Sequence, residues 1–270
     1  MVIRLSLAGL AVVLALLIFP VAGSWAGLAI SPAYVEASFD KGRPVGEFLI
    51  SNLGDEEERY RIKAVHFVLT KNGGLDRIPP DEHSLAAWVK FNPTEFTLAP
   101  KTKRAVRYVI IPQGNLKAGE YWGAMELESL KTTTASGKDE KGREYNIEVL
   151  PTILVPMFGK FGNVRYQGVV KEATLAKGQT DQSLRVLLSN TGDGRLLIEG
   201  QYVIMDGAGQ EIQKGQLGKF YLLPGMEQIA ASRLTSKLAS GSYKVRVECR
   251  SPQLKESLSN EFDLVWKESQ

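Results

Sequence analysis

Apolar and polar residues alternate along this chain in short runs and never settle into a helical period. "RAVRYVII" (Arg104–Ile111) and "FDLVW" (Phe262–Trp266) change face at nearly every residue, as half-buried strands do. Clusters of Gly, Pro, Asn and Asp punctuate the runs. The pattern predicts strands at 28–38, 45–52, 58–69, 86–97, 103–112, 119–129 and 145–158 in the first half. In the second half it predicts them at 164–175, 182–190, 195–205, 210–222, 226–233, 241–250 and 257–266. About seven short strands per half give an all-β chain of two immunoglobulin-like β-sandwich domains in tandem. "FGKFGN" (Phe158–Asn163) interrupts the pattern with two glycines. The expected division is therefore a first domain over 27–158 and a second over 159–270.

Three phrases occur in both halves, in the same order. "SNLGD" at Ser51 returns as "SNTGD" at Ser189, "FTLAP" at Phe96 as "FYLLP" at Phe220, and "LKAGEY" at Leu116 as "LASGSY" at Leu238. The offsets are 138, 124 and 122 residues. Three ordered echoes argue for two copies of one domain type. Asn, Gly and Asp tolerate turn dihedrals, so the first phrase ends one strand and starts the next. The second stops a strand at a Pro. The third sets Tyr121 and Tyr243 just inside a strand after a Gly turn. Each is either a tyrosine corner of the immunoglobulin type or a cross-strand aromatic.

The first 26 residues depart from the alternation. Arg4 is their only charge, an apolar stretch follows, and "SWA" ends at Ala26. This reads as a secretory signal peptide, cleaved after Ala26 or Gly23, rather than a membrane anchor. No later segment is long and apolar enough to be expected to span a bilayer. The mature chain is expected to be exported. A net charge of +3 gives no argument for nucleic acid or an anionic membrane as partner.

Candidate chemistry changes the picture little. Cys249 is the only cysteine, so no intramolecular disulfide forms, and in "YKVRVECR" it shares a face with Tyr243, Val245 and Val247. A small buried hydrophobe is the expectation. Catalytic and metal signatures of the G-x-S-x-G, H-E-x-x-H and C-x-x-C kinds are absent from the sequence. "DEH" (Asp81–His83) and "DEEE" (Asp55–Glu58) lack the ligand spacing of a metal site and read as solvated charge. The expectation is a protein that is not an enzyme and carries no cofactor or metal.

The informative stretch is "EYNIEVLPTILVPMF" (Glu144–Phe158). Ile147, Val149, Ile153, Val155 and Met157 share one face; Leu150, Leu154 and Phe158 share the other. A strand apolar on both faces needs cover on both. Pro151 and Pro156 cannot donate to a ladder and mark an edge. Such an edge is either covered by the second domain or pairs with another polypeptide. The partner-binding candidates are Ile147, Val149, Leu150, Ile153, Leu154 and Val155. The preceding "KTTTASGKDEKGR" (Lys131–Arg143) reads as a loose hairpin loop.

The first half resembles the periplasmic pilus chaperones of the PapD-like type. "ISPAYVEASFDKGRPVGEFLISNLGDEEERYRIKA" (Ile30–Ala64) is similar to that family's first two strands and the turn into the third. "WVKFNPTEFTLAPKTKRAVRYVI" (Trp88–Ile110) resembles its "P…F.L.PG....VR" phrase, and "GEYWGAMELES" (Gly119–Ser129) its sixth strand. The second half resembles it only in architecture. The resemblance implies two immunoglobulin-like domains, a periplasmic location, and a seventh strand lent to a secreted pilus subunit. The family also anchors the subunit's terminal carboxylate with an Arg on the first strand and a Lys on the seventh. Here Glu36 and Val155 stand at the best-matched positions, and a carboxylate at Glu36 repels another. Strand lending, which uses backbone and apolar side chains, does not need that anchor. Lys160 and Arg165 are candidates for positive charge in the cleft, or ordinary surface residues. The functional expectation is a chaperone-like assembly factor adding its 145–158 strand to a secreted subunit. The alternative is a structural or adhesive envelope protein with no chaperone role.

Overall fold

A computed structural model describes residues 27–138, 141–178 and 181–267. The expected signal peptide, residues 1–26, lies outside them. All regular elements among the described residues are strands: β1 (Leu28–Ser31), β2 (Val35–Ser38), β3 (Val45–Asn52), β4 (Glu58–Leu69), β5 (Leu75–Ile78), β6 (Val89–Asn92), β7 (Glu95–Leu98), β8 (Lys103–Ile110), β9 (Gly119–Ser129), β10 (Thr133–Lys138), β11 (Glu144–Val149) and β12 (Thr152–Phe161) in the first half. The second half holds β13 (Gly168–Lys177), β14 (Gln182–Asn190), β15 (Leu196–Met205), β16 (Glu211–Leu222), β17 (Glu227–Arg233), β18 (Gly241–Arg250) and β19 (Leu258–Trp266).

The expected all-β, two-sandwich architecture is present. The first sandwich stacks β1-β3-β8-β6 against β2-β12-β9-β4-β5, with β7 also on β4. The second stacks β13-β14-β17 against β16-β15-β18-β19. Alternation fills each interior: Phe48, Ile50, Val106, Met125 and Met157 in one, Leu184, Val186, Ile198, Val245 and Val247 in the other. Cys249 lies in the second core with no exposed surface, and burial pushes its thiol up to about 12.

Three expected strands are broken, each next to a proline. The 28–38 run divides after Ser31–Pro32 into β1 and β2, which belong to different sheets. The 86–97 run divides at Pro93. The 145–158 run is two strands, not one: Pro151 separates β11 from β12. The expected loop at 131–143 contains β10, which pairs with β11 as a two-stranded arm.

The echoed phrases have one physical cause. Asn52 and Asn190 are both 1% exposed. Each closes its own turn: Gly54 N–H donates to Asn52 Oδ1 and Gly192 N–H to Asn190 Oδ1, both at 2.9 Å. Each also donates its side-chain amide across the sandwich, Asn52 to Leu98 O (3.1 Å) and Asn190 to Leu222 O (2.8 Å). Leu98 and Leu222 are the same position of the "FxLxP" phrase. The first two phrases are thus hydrogen-bond partners, and each buried amide is satisfied by the other phrase's strand end. The third phrase forms a tyrosine corner in both halves. Tyr121 Oη donates to Lys117 O (2.8 Å) and Tyr243 Oη to Ala239 O (2.7 Å).

Candidate functional site

The site begins with a change of sheet. After β1 pairs with β3, the chain crosses at Pro32 and β2 runs parallel to β12, matching Val35–Ser38 to Met157–Lys160. Strand β12 pairs with β9 along its whole length, from Thr152↔Glu128 to Phe161↔Gly119. Among the described residues its other flank is therefore covered only over Met157–Lys160, and Thr152–Pro156 forms an open edge. Strand β11 pairs only with β10, so its outer flank is open as well. The free edge runs along 144–149 and 152–156, interrupted at Leu150–Pro151.

The candidate side chains divide by depth. Ile147, Leu150 and Ile153 are exposed, at 53, 50 and 39%. Val149 is partly covered. Val155 is a core residue at 3% exposure, so it offers a partner its backbone and not its side chain. Leu154 points to the opposite face, where it packs with Val65, Leu69 and Met226 around Phe67, Trp122, Ala124, Phe158 and Leu223. That cluster joins the two sandwiches, and the second one thereby covers the far end of β12. The second sandwich thus covers one part of the two-sided apolar strand, and the other part is an unpaired edge. By parity Tyr145, Ile147 and Val149 continue the Ile153–Val155–Met157 face. The core stripe of the sandwich runs out onto an exposed arm.

Where the crossover leaves its gap, a groove of about 600 Å3 opens between the sheets. Leu28, Tyr60, Leu127 and Ile153 line it, with Asp55, Glu56, Glu58 and Lys131 at the rim. Burial, reinforced by Glu58, pushes the Tyr60 phenol up to about 12. Lys131 pairs with Glu56 and lies 4.0 Å from Glu58, and Lys101 pairs with Asp55 at 2.9 Å. Lys131 holds the Glu56 carboxyl below its usual range.

The cleft between the sandwiches is organised by a residue that the sequence reading missed. Arg195, only 3% exposed, pairs with Glu120 on β9 and Glu36 on β2. Its backbone N–H donates to Glu120 Oε2 at 2.6 Å, and its guanidinium lies 3.7 Å over the Phe158 ring. Burial raises the Glu120 carboxyl above its usual value, and Arg195 opposes that rise. Glu36 thus holds an internal cation. In the sequence Arg195 stands one glycine beyond the second "SNTGD" turn and immediately before β15. Lys160 lies 5.4 Å from the Tyr166 ring and close enough to Glu120 to oppose its rise. Arg165 is bound within the second sandwich, to Asp193 Oδ1 (3.3 Å) and Thr191 O (3.2 Å).

The two sandwiches meet in further polar contacts. Glu120 N–H donates to Asp193 O at 2.8 Å, and Ile229 N–H to Lys71 O at 2.6 Å. Glu227 pairs with Lys71 and Lys171 at 2.8 and 2.7 Å, and these two ammonium groups hold its carboxyl down to about 2.

Asp81 of the "DEH" stretch accepts from His83 N–H and faces His66 Nε2 at 3.0 Å. No group of three or more metal-ligating side chains occurs among the described residues. No helix among them is long and apolar enough to cross a membrane.

No family model and no curated protein matches the sequence. Among solved structures, the chain is similar to a chaperone–tip adhesin complex of CFA/I fimbriae biogenesis (10% identity, 87% of this chain and 97% of that one, TM-score 0.47). It is similar to the class 5 fimbriae chaperone CfaA at 10% identity, over 87% of this chain and 98% of that one, with a TM-score of 0.46. It is also similar to a CsuC–CsuE chaperone–tip adhesion subunit complex of Acinetobacter baumannii (9%, 88% and 97%, TM-score 0.46).

Proposed function

We propose that this chain is a periplasmic, chaperone-like assembly factor that captures a secreted protein subunit by β-strand addition. The observation that carries the reading is the open flank of β12 at Thr152–Pro156, continuous with the open flank of β11. Natural sheets blunt their edges with charge, bulges or cover. This edge has Glu144, Glu148, Pro151 and Pro156 and also carries exposed Ile147, Leu150 and Ile153. Backbone groups on such an edge supply affinity, and alternate side chains supply register.

The anchor for a terminal carboxylate has no counterpart at Glu36, which Arg195 already engages. The partner is held by edge pairing and apolar contact. Since Leu154 packs toward the junction, the decisive substitutions are Ile147→Glu and Ile153→Glu. The double variant is expected to keep its fold by circular dichroism and lose capture of its partner from an envelope extract. Capture at the wild-type level by the folded variant would contradict the reading.

A further inference from the structure

The groove beside the open edge says what kind of strand fits there. The crossover at Pro32 takes the chain into the opposite sheet, so the lane beside Thr152–Pro156 is vacant on the line that β2 occupies further along. A strand placed in that lane directs every second side chain inward. Those side chains meet Leu28, Tyr60, Leu127 and Ile153 in the groove of about 600 Å3. The lane is short: five residues span roughly 17 Å.

Three carboxylates, Asp55, Glu56 and Glu58, line the groove at the outer end of the lane. Lys101 and Lys131 neutralise part of this charge. Three carboxylates against two ammonium groups leave the rim negative. Resting on the strand-addition reading, we propose that the site selects an extended peptide with alternating apolar side chains and a lysine or arginine at the end of the segment. The apolar residues fill the groove and the basic residue meets the Asp55–Glu58 rim. A partner with an acidic residue there pairs with the same edge and is repelled at its end.

Calorimetry on the purified full chain tests this with three synthetic peptides of about nine residues, long enough to overrun the lane at both ends. The first alternates Val and Thr with Lys at both ends. The second has Glu at both ends. The third keeps the Lys ends and replaces every Val by Ser. The Lys peptide is expected to bind roughly threefold to tenfold tighter than the Glu peptide at low ionic strength, with the gap closing near 1 M salt. The Ser peptide is expected not to bind. In D55N/E56Q, whose altered side chains are exposed in the native protein, the Lys and Glu peptides should bind more nearly alike. Equal binding of the two by the native protein overturns the selectivity and leaves strand addition standing. A preference for Glu, or binding of the Ser peptide, likewise overturns it. No binding of any peptide overturns both readings. A concentration-dependent dimer that the Lys peptide does not dissolve assigns the lane to a second copy and overturns the proposed occupant.

Discussion

The two sandwiches share their three repeated phrases and differ at the side where first and last strands meet. In the second, β19 pairs only with β18 among the described residues but lies against β13: Asn260 donates to Val170 O at 3.1 Å, and Leu258, Phe262 and Leu264 pack partly buried against the core. The neighbouring face is a charge ladder, Glu261 and Asp263 with Lys244 and Arg246. In the first, β12 is covered over four residues only, the gap becomes a groove, and exposed apolar side chains run along the rim. Both last strands keep an unpaired flank, and what is particular to the first sandwich is the exposed apolar groove beside it. It arises where the crossover at Pro32 withdraws the covering strand, and where apolar residues replace the charges that protect the second domain.

The comparison can be broken most severely at the two last strands. Phe262→Glu puts a charge where a partly buried ring packs against the second core and is expected to cost about 3–5 kcal/mol. Ile153→Glu, at the matching inward face of β12, is expected to cost under about 1 kcal/mol because that position is open. Urea unfolding of both variants checks the contrast, and equal losses would mean that Ile153 is packed as Phe262 is. Next comes Arg195, which joins the halves. Arg195→Met leaves Glu120 buried without its cation, for an expected loss of about 3–5 kcal/mol. Pairing it with Glu120→Leu should restore most of that loss, which a double-mutant cycle reads directly.

The shared device should behave alike in both halves. Asn52→Ala and Asn190→Ala each orphan a buried strand-end carbonyl and a turn N–H. Each is expected to lose about 2–4 kcal/mol by thermal unfolding. A large difference between them would mean that the repeated phrases do different jobs. The smallest effect concerns Glu227. Its folded pKa of about 2 lies below that of an unfolded carboxylate, so its stabilisation is present above the unfolded value and is lost as pH falls toward 2. Between about pH 4.5 and 2 the native protein should therefore lose more thermal stability than Glu227→Gln does.

What the sequence disclosed was local. The strand limits from Val45 to Leu69, and the tyrosine corners at Tyr121 and Tyr243, follow from alternation and turn chemistry over a few residues. Pro151 marked an edge correctly, yet it also broke the strand it was placed in, because the missing N–H leaves a gap in either ladder. Leu154 was grouped with the exposed stretch because alternation gives a face but not what covers it; the cover, Leu223 and Met226, lies some seventy positions away. Arg195 was illegible for a similar reason. Its partners Glu36 and Glu120 lie in the other half, and a lone Arg after a turn usually faces water. The groove results from a crossover between sheets that no residue pattern encodes directly.

Amide hydrogen exchange reads the open flank of β12 residue by residue. In the free protein, outward-facing amides within Thr152–Val155 should exchange quickly, while those of β12 paired to β2 over Met157–Lys160 are protected. Saturation with the Lys-ended alternating peptide should bring protection to Thr152–Val155. Slow exchange there in the free protein, or no change on saturation with bound peptide, would contradict the account.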